Sequence, residues 1–335
     1  MGDAVDDERV VNDGERHRQN LRSAGMTLFE EIRERCRVVA EGAGSVHVDH
    51  DRLAGYAAEL RPLLDAPVDD DPGRMRLGSV ADTVAFVVAL DAVNFGSGWF
   101  PVLRKRPGMS GYHTVATAFR EHGAPTAAWL AGIDAAGCCE LFGQDPAEPA
   151  AELMARFAEA WNQLGRLLLD RYDGEAVHLV EAAGGSAERL VELLRPAAHF
   201  DDRRRWRGLD VPFYKRAQIA AADLHAALGG EGPGRFDDLD RLTIFADNLV
   251  PHVLRLDGVL VLEPDLVATI EAGELVPEGS EPEVELRAGA VDAVERLVAL
   301  LPGQTAARLD TVLWNRGGGD RYKAVPRHRT RTVSY

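Results

Sequence analysis

The stretch Ala147-Glu148-Pro149-Ala150-Ala151-Glu152-Leu153-Met154-Ala155-Arg156-Phe157-Ala158-Glu159-Ala160-Trp161-Asn162-Gln163-Leu164-Gly165-Arg166-Leu167-Leu168-Leu169-Asp170-Arg171 decides the fold class. Its large apolar residues, Leu153, Phe157, Trp161, Leu164 and Leu168, return every three or four positions, which gathers them on one face of a helix. Helices are likewise expected through Gln19 to Glu41, Asp51 to Leu64, Val80 to Phe95, Tyr112 to Glu121, Ala187 to Ala197, Phe213 to Leu228, Thr243 to Leu256 and Val291 to Leu301. Ser186 can accept a backbone N–H at one helix start, and Gly229-Gly230 supplies a flexible stop after Leu228. Strict two-residue alternation is scarce, with Val284-Glu285-Leu286 and Val259-Leu260-Val261 the best strand candidates. The fold expected is mainly α with at most a small β element. No internal repeat and no convincing interdomain linker interrupt it, so residues 19–335 read as a single compact helical domain. Residues 1–18 are charged and poor in aromatics, and are expected to be a disordered tail because they offer little to offset the entropy of ordering.

The 335 residues are 46% hydrophobic, enough for a sizeable core. With 54 Asp plus Glu against 38 Lys plus Arg, the formal charge of -16 argues against broad binding of nucleic acid or anionic membrane, both of which require phosphate to be neutralised. Cys36, Cys138 and Cys139 are too few and too poorly spaced for a disulfide framework or a tetrahedral metal cage. The apolar run around Ala85 to Leu90 is too short to span a bilayer, and no segment reads as a signal peptide. The setting expected is the reducing cytoplasm, with no membrane partner. No HExxH pair, Walker loop or GxSxG elbow is present, so hydrolysis by a bound metal or a serine triad is not expected.

Three segments carry residues suited to chemistry. In Phe200-Asp201-Asp202 through Trp206 and Gly208 to Pro212-Phe213-Tyr214-Lys215-Arg216-Ala217-Gln218, Pro212 and Phe213 look like a helix start, placing Lys215 and Arg216 in its first turn. Two cations at a helix N-terminus make a phosphate seat; the plainer alternative is solvated charges beside Asp201 and Asp202. In Phe245-Ala246-Asp247-Asn248-Leu249-Val250-Pro251-His252, Asp247 falls inside an apolar helical pattern, where a carboxylate must find a partner or shift its pKa. It could equally sit on a polar face or prepare the break at Pro251. Near the end come Asp310, Trp314 and the basic run Pro326-Arg327-His328-Arg329. Trp314 could stack on a planar base beside Asp310, or anchor the core while the basic tail docks on an acidic body. Asn94-Phe95-Gly96-Ser97-Gly98-Trp99-Phe100 suits either a pocket wall or a turn between helices.

Taken in order, these segments resemble the queuosine salvage protein family, the queuosine 5'-phosphate N-glycosylase/hydrolases. The resemblance runs from roughly Ser79 to Tyr335 and is strongest from Phe200 onward. It takes in Asn94-Phe95, Gly111-Tyr112, Asp202, Gly208, Phe213 to Ile219 with Asp223, Phe245-Ala246-Asp247 with Pro251, Gly273-Glu274, Glu283 to Arg287, Leu313-Trp314 and His328-Arg329. It implies an all-α fold similar to helix-hairpin-helix DNA glycosylases, and cleavage of queuosine 5'-monophosphate to release queuine for tRNA modification. It further implies Asp247 as the catalytic carboxylate under the ribose, and Lys215, with Arg216, as holders of the 5'-phosphate. Phe245, Trp206 and Trp314 would then enclose the base, Asp202 and Asp310 would receive the base edge or its amine, and Asn94 would line the site. No cofactor or metal is implied, and the partners are the small nucleotide and the queuine product, with no direct nucleic acid. The rival readings are an N-glycosidase for another (deaza)purine nucleotide, a non-catalytic queuine carrier, and a nucleic-acid-binding helical module.

Overall fold

The computed structural model describes residues 25–66 and 75–335, so the tail expected over 1–18 lies outside the described residues. The elements are α1 Leu28–Gly42, β1 Val46–Val48, α2 His50–Asp65, α3 Val80–Ala92, α4 Gly111–His122, α5 Ala127–Gly132, α6 Ala135–Phe142, α7 Ala151–Arg171, α8 Ala176–Glu181 and α9 Ala187–Leu194. There follow β2 Arg203–Trp206, β3 Leu209–Pro212, α10 Lys215–Leu228, α11 Val250–Leu256, β4 Leu260–Leu262, α12 Pro264–Glu271, α13 Glu281–Leu300, α14 Ala306–Gly317 and α15 Asp320–Lys323. The fold is mainly α, as expected.

Local chemistry sets the helix ends. Thr27 and Glu30 form a capping box on α1, and Ser79 and Asp82 form one on α3. Ser186 caps α9 by accepting the Arg189 N–H at 3.1 Å, while Gly229 closes α10 in the left-handed region. The stripe read in α7 is buried, from Leu153 through Phe157 and Trp161 to Leu168. Trp161 also donates its indole N–H to the Ala89 carbonyl at 2.8 Å, tying α7 to α3. Truncating such a residue to Ala costs roughly 3–5 kcal/mol. The buried apolar side chains form one contiguous cluster from Leu28 to Tyr322.

Two expectations are corrected. Val284-Glu285-Leu286 is not a strand but lies in α13, in which every residue from Glu283 to Val294 is buried. A helix buried on all sides has no polar face, so its sequence loses the 3.6 period, and Val-Glu-Leu imitates alternation. Thr243 to Leu249 is irregular, and α11 begins only at Val250 with Pro251 in its first turn. The short strand near Val259 is present as β4, antiparallel to β1 with Val46 opposite Leu262. The β2–β3 hairpin was not legible in its Arg-rich sequence. Arg207 and Gly208, at φ 46° and 84°, form its two-residue turn, the kind that matches the twist of paired strands. Among the described residues, no helix is long and apolar enough to cross a membrane.

Candidate active site

Four residues of the irregular stretch before α11 are tied to other parts of the fold. The Thr243 N–H donates to Gln218 Oε1 on α10 at 2.9 Å, and Gln218 Nε2 returns a bond to Thr243 Oγ1 at 2.9 Å. The Phe245 N–H donates to Asp310 Oδ1 on α14 at 2.9 Å. The Ala246 carbonyl accepts Arg287 Nε from α13 at 3.0 Å, and Asn248 Nδ2 donates to the His328 carbonyl at 3.1 Å. These bonds take up amides and carbonyls that a helix would have paired internally. They also fix Asp247, whose Oδ1 accepts the Leu249 and Val250 N–H groups at 2.7 and 3.1 Å. The half-buried carboxylate thus faces out from a helix start with Oδ2 making no hydrogen bond among the described residues.

Lys215 is the first residue of α10 and follows Tyr214, which is held at φ 47°. A left-handed conformation in a bulky residue is strained and persists where the surroundings impose it. The buried ammonium of Lys215 donates to the Asn94 carbonyl at 3.0 Å and approaches its side-chain oxygen at 3.5 Å. Asn94 is held in turn by its amide bond to Asp91 Oδ1 at 3.1 Å. Burial lowers the Lys215 ammonium, while Asp247, Asp91 and Asp310 pull it back up. The Asp310 carboxyl is pushed well above the usual carboxylate range, first by burial and then by the negative charge of Asp247. Asp247, Asp310 and Lys215 are therefore close enough to sense one another, and Asp310 is biased toward its acid form, which can donate a hydrogen bond.

Beyond Asp310, one helical turn on, stands Trp314, an exposed large aromatic at 37% accessibility. Its ring lies edge-on to Tyr112 and tilted to His113, at 6.4 Å from each centroid, where α4 begins. Phe245, half-buried, lies beside Asp310 through its amide bond. An accessible aromatic rim next to partly buried polar groups suits a planar, polar-edged ligand.

The structure does not bring every expected residue here. Asp202 is buried, and both of its oxygens are occupied by Arg287, at 3.0 and 2.6 Å. Burial would raise its carboxyl, but the Arg287 charge and hydrogen bonds outweigh this and hold it at about 2. It is a structural anion, not an open receptor for an amine. Arg216 lies fully buried between the Phe95 and Phe200 rings, at 5.0 and 5.2 Å, with one nitrogen on the Ala92 carbonyl. Burial depresses its guanidinium to about 9 against the pull of Asp202 and Asp91, and its other two nitrogens are buried with no hydrogen-bond partner among the described residues. Trp206 ends β2, about 13 Å of strand beyond Asp202. Its N–H is bonded to Glu285 at 3.0 Å and its ring packs against Gly42.

Arg287 and Arg327 were not singled out from sequence as site residues. The available signal for Arg287 was a cation in the apolar run Val284 to Val294, which needs a buried partner. A groove of about 620 Å³ between α1 and α13 lies elsewhere, walled by charged residues such as Arg33, Glu34, Arg37 and Glu295. Its walls are ion-paired with one another, as in Arg33–Glu295 at 2.8 Å, and it contains none of the residues above. Among the described residues, no group of three or more His, Cys, Asp or Glu is placed to hold a metal ion.

A family model described as queuosine salvage protein matches residues 76–335. A relative from Sphaerobacter thermophilus, named queuosine 5'-phosphate N-glycosylase/hydrolase, is 33% identical over 318 residues, covering 89% of this chain and 96% of its own length. One of the same name from Mus musculus is 30% identical over 333 residues, covering 90% and 98%. A third, from Dictyostelium discoideum, is 36% identical over 182 residues, covering 52% and 56%. With a family match over most of the chain and end-to-end similarity to two such proteins, the chain belongs to the queuosine salvage protein family.

Proposed function

We propose that this protein hydrolyses the N-glycosidic bond of queuosine 5'-monophosphate, releasing queuine and ribose 5-phosphate for reuse of the base in tRNA modification. The observation that carries this reading is the Asp247 carboxylate, anchored by two backbone N–H groups with its second oxygen uncommitted, beside the acid-biased Asp310 and the exposed Trp314.

As the bond breaks, its electron pair departs with the base and positive charge develops on the ribose. A preorganised carboxylate beneath the sugar stabilises that oxocarbenium-like state and orients the water whose oxygen adds to the sugar. Asp247 has that role. The proton from water balances the charge on the departing base. A 7-deaza base lacks the ring nitrogen at which purine leaving groups are often protonated, so positioning and contacts to the base edge carry more of the burden. Asp310 meets that edge or the amine of its side arm, and Trp314 and Phe245 flank the ring. Lys215, held by Asn94, places a cation among the carboxylates and the incoming nucleotide.

Purified protein incubated with queuosine 5'-monophosphate, with and without chelator, should release queuine detectable by mass spectrometry at the same rate in both. Tight binding of queuine with the nucleotide left intact would refute the hydrolase reading and leave a carrier of the base.

A further inference from the structure

The basic run Pro326-Arg327-His328-Arg329 finds no use in the chemistry above. Its placement is well defined. The His328 carbonyl accepts Asn248 Nδ2 at 3.1 Å, so the run lies alongside the catalytic loop, with Arg327 and Asp247 each next to a member of the bonded pair. The following residues are anchored away from the site. The Arg329 guanidinium donates to the Gly273 carbonyl, and its own carbonyl accepts the Val276 N–H at 2.9 Å. Arg327 is different: it is half-buried, and among the described residues its guanidinium makes no hydrogen bond or ion pair. Its nitrogens are not shut off from solvent, so an anion that enters there meets a partly desolvated fork of donors with no protein acceptor to displace.

The charges around Asp247 show which groups are its neighbours. Burial lowers the Arg327 guanidinium and Asp247 opposes it, whereas Asp310 and Lys215 interact with Asp247 and with each other. Asp247 is thus the neighbour that Arg327 shares with Asp310 and Lys215. A 5'-nucleotide with its ribose at Asp247 and its base at Asp310 and Trp314 would leave its phosphate for the remaining neighbour, Arg327. Of the other cations nearby, Lys215 is bonded to Asn94, Arg287 is paired with Asp202, and Arg216 is fully buried beneath Phe95 and Phe200. We infer that Arg327 is the seat of the substrate's 5'-phosphate and that its fork of N–H groups, not the Lys215 ammonium, selects a nucleotide over a nucleoside. A guanidinium fits phosphate oxygens two at a time, which a lysine does not.

This inference rests on the N-glycosidase reading only for its substrate, and a binding measurement separates the two. Calorimetric titration with ribose 5-phosphate and with ribose is compared across the wild type, Arg327→Gln and Arg327→Lys, alongside kcat/KM for queuosine 5'-monophosphate and queuosine. The wild type should bind ribose 5-phosphate in clear preference to ribose. Arg327→Gln should weaken that binding, and raise KM for the nucleotide, by roughly tenfold to a hundredfold. The nucleotide-to-nucleoside preference should collapse with it, and Arg327→Lys should recover only part. Thermal unfolding checks that the variants are folded, and retained queuine affinity checks that the base side is intact. Undiminished ribose 5-phosphate affinity in Arg327→Gln, or no such affinity in the wild type, overturns the assignment. Arg327-dependent binding of ribose 5-phosphate without turnover of the nucleotide would overturn the hydrolase reading and leave the phosphate seat standing.

Discussion

Replacing Arg287 with Met should destabilise the protein by roughly 3–5 kcal/mol at neutral pH, because it leaves a buried carboxylate without its cation. The Arg287 side chain has no solvent exposure and that of Asp202 only 2%, so water cannot take over when the partner is removed. Three interactions go at once: the paired bonds to Asp202, the bond to the Ala246 carbonyl, and the stacking on Phe213 at 3.9 Å. The pH dependence identifies the cause. In the wild type the Asp202 carboxyl is held at about 2, below its unfolded value. A depression of about two units contributes roughly 2–3 kcal/mol, present above about pH 4 and lost as pH falls through about 2. In Arg287→Met burial, the largest cause, is opposed only by the Arg204 charge and the Ser334 hydrogen bond, so the folded value should rise above the unfolded one and the sign reverse: the deficit should be largest at pH 7 and shrink toward pH 5. Urea unfolding followed by circular dichroism at the two pH values measures this. The double variant Asp202→Asn/Arg287→Met should be less impaired than the sum of the single ones. A loss below about 1 kcal/mol, or one equal at pH 7 and pH 5, would refute the argument that Asp202 depends on this charge. Because Arg287 also holds the Ala246 carbonyl, kcat should fall in the folded fraction as Asp247 loses an anchor.

Asp247→Asn should lower kcat by about a thousandfold or more while keeping queuine affinity, since it removes charge from the transition state and leaves the hydrogen-bonding shape; full activity would exclude Asp247 from the chemistry. Asp310→Asn should remove the basic limb of the kcat–pH profile, because a carboxyl raised by burial and by Asp247 loses its acid form as pH rises. The same raised carboxyl favours folding at low pH, a contribution lost as pH climbs through its folded pKa, so Asp310→Asn should match or exceed wild-type Tm on the alkaline side. Trp206→Phe should leave kcat/KM within about twofold and cost about 1 kcal/mol of stability through the lost bond to Glu285; a large loss of activity would return Trp206 to the site.

The helical class was legible in the sequence because the α7 stripe from Leu153 to Leu168, the Ser186 cap and the Gly229 stop are short-range features. So were the segments Lys215 to Gln218 and Phe245 to Asp247 that carry the family resemblance, and with them the family. What residue type and local period could not carry was the identity of distant partners. Thr243 to Leu249 has a helical pattern and is not a helix, because Gln218, Asp310 and Arg287, on three other elements, take its backbone groups. Asp202 looked available to a ligand until Arg287, 85 positions away, occupied both of its oxygens. Arg327 read as one charge in a basic tail, and only the bond between His328 and Asn248 sets it beside Asp247. Periodicity, caps and motifs are properties of neighbours along the chain and were settled by the sequence. Which buried charge meets its counterion, and which is left without one, depends on packing between remote segments and was decided by the tertiary structure.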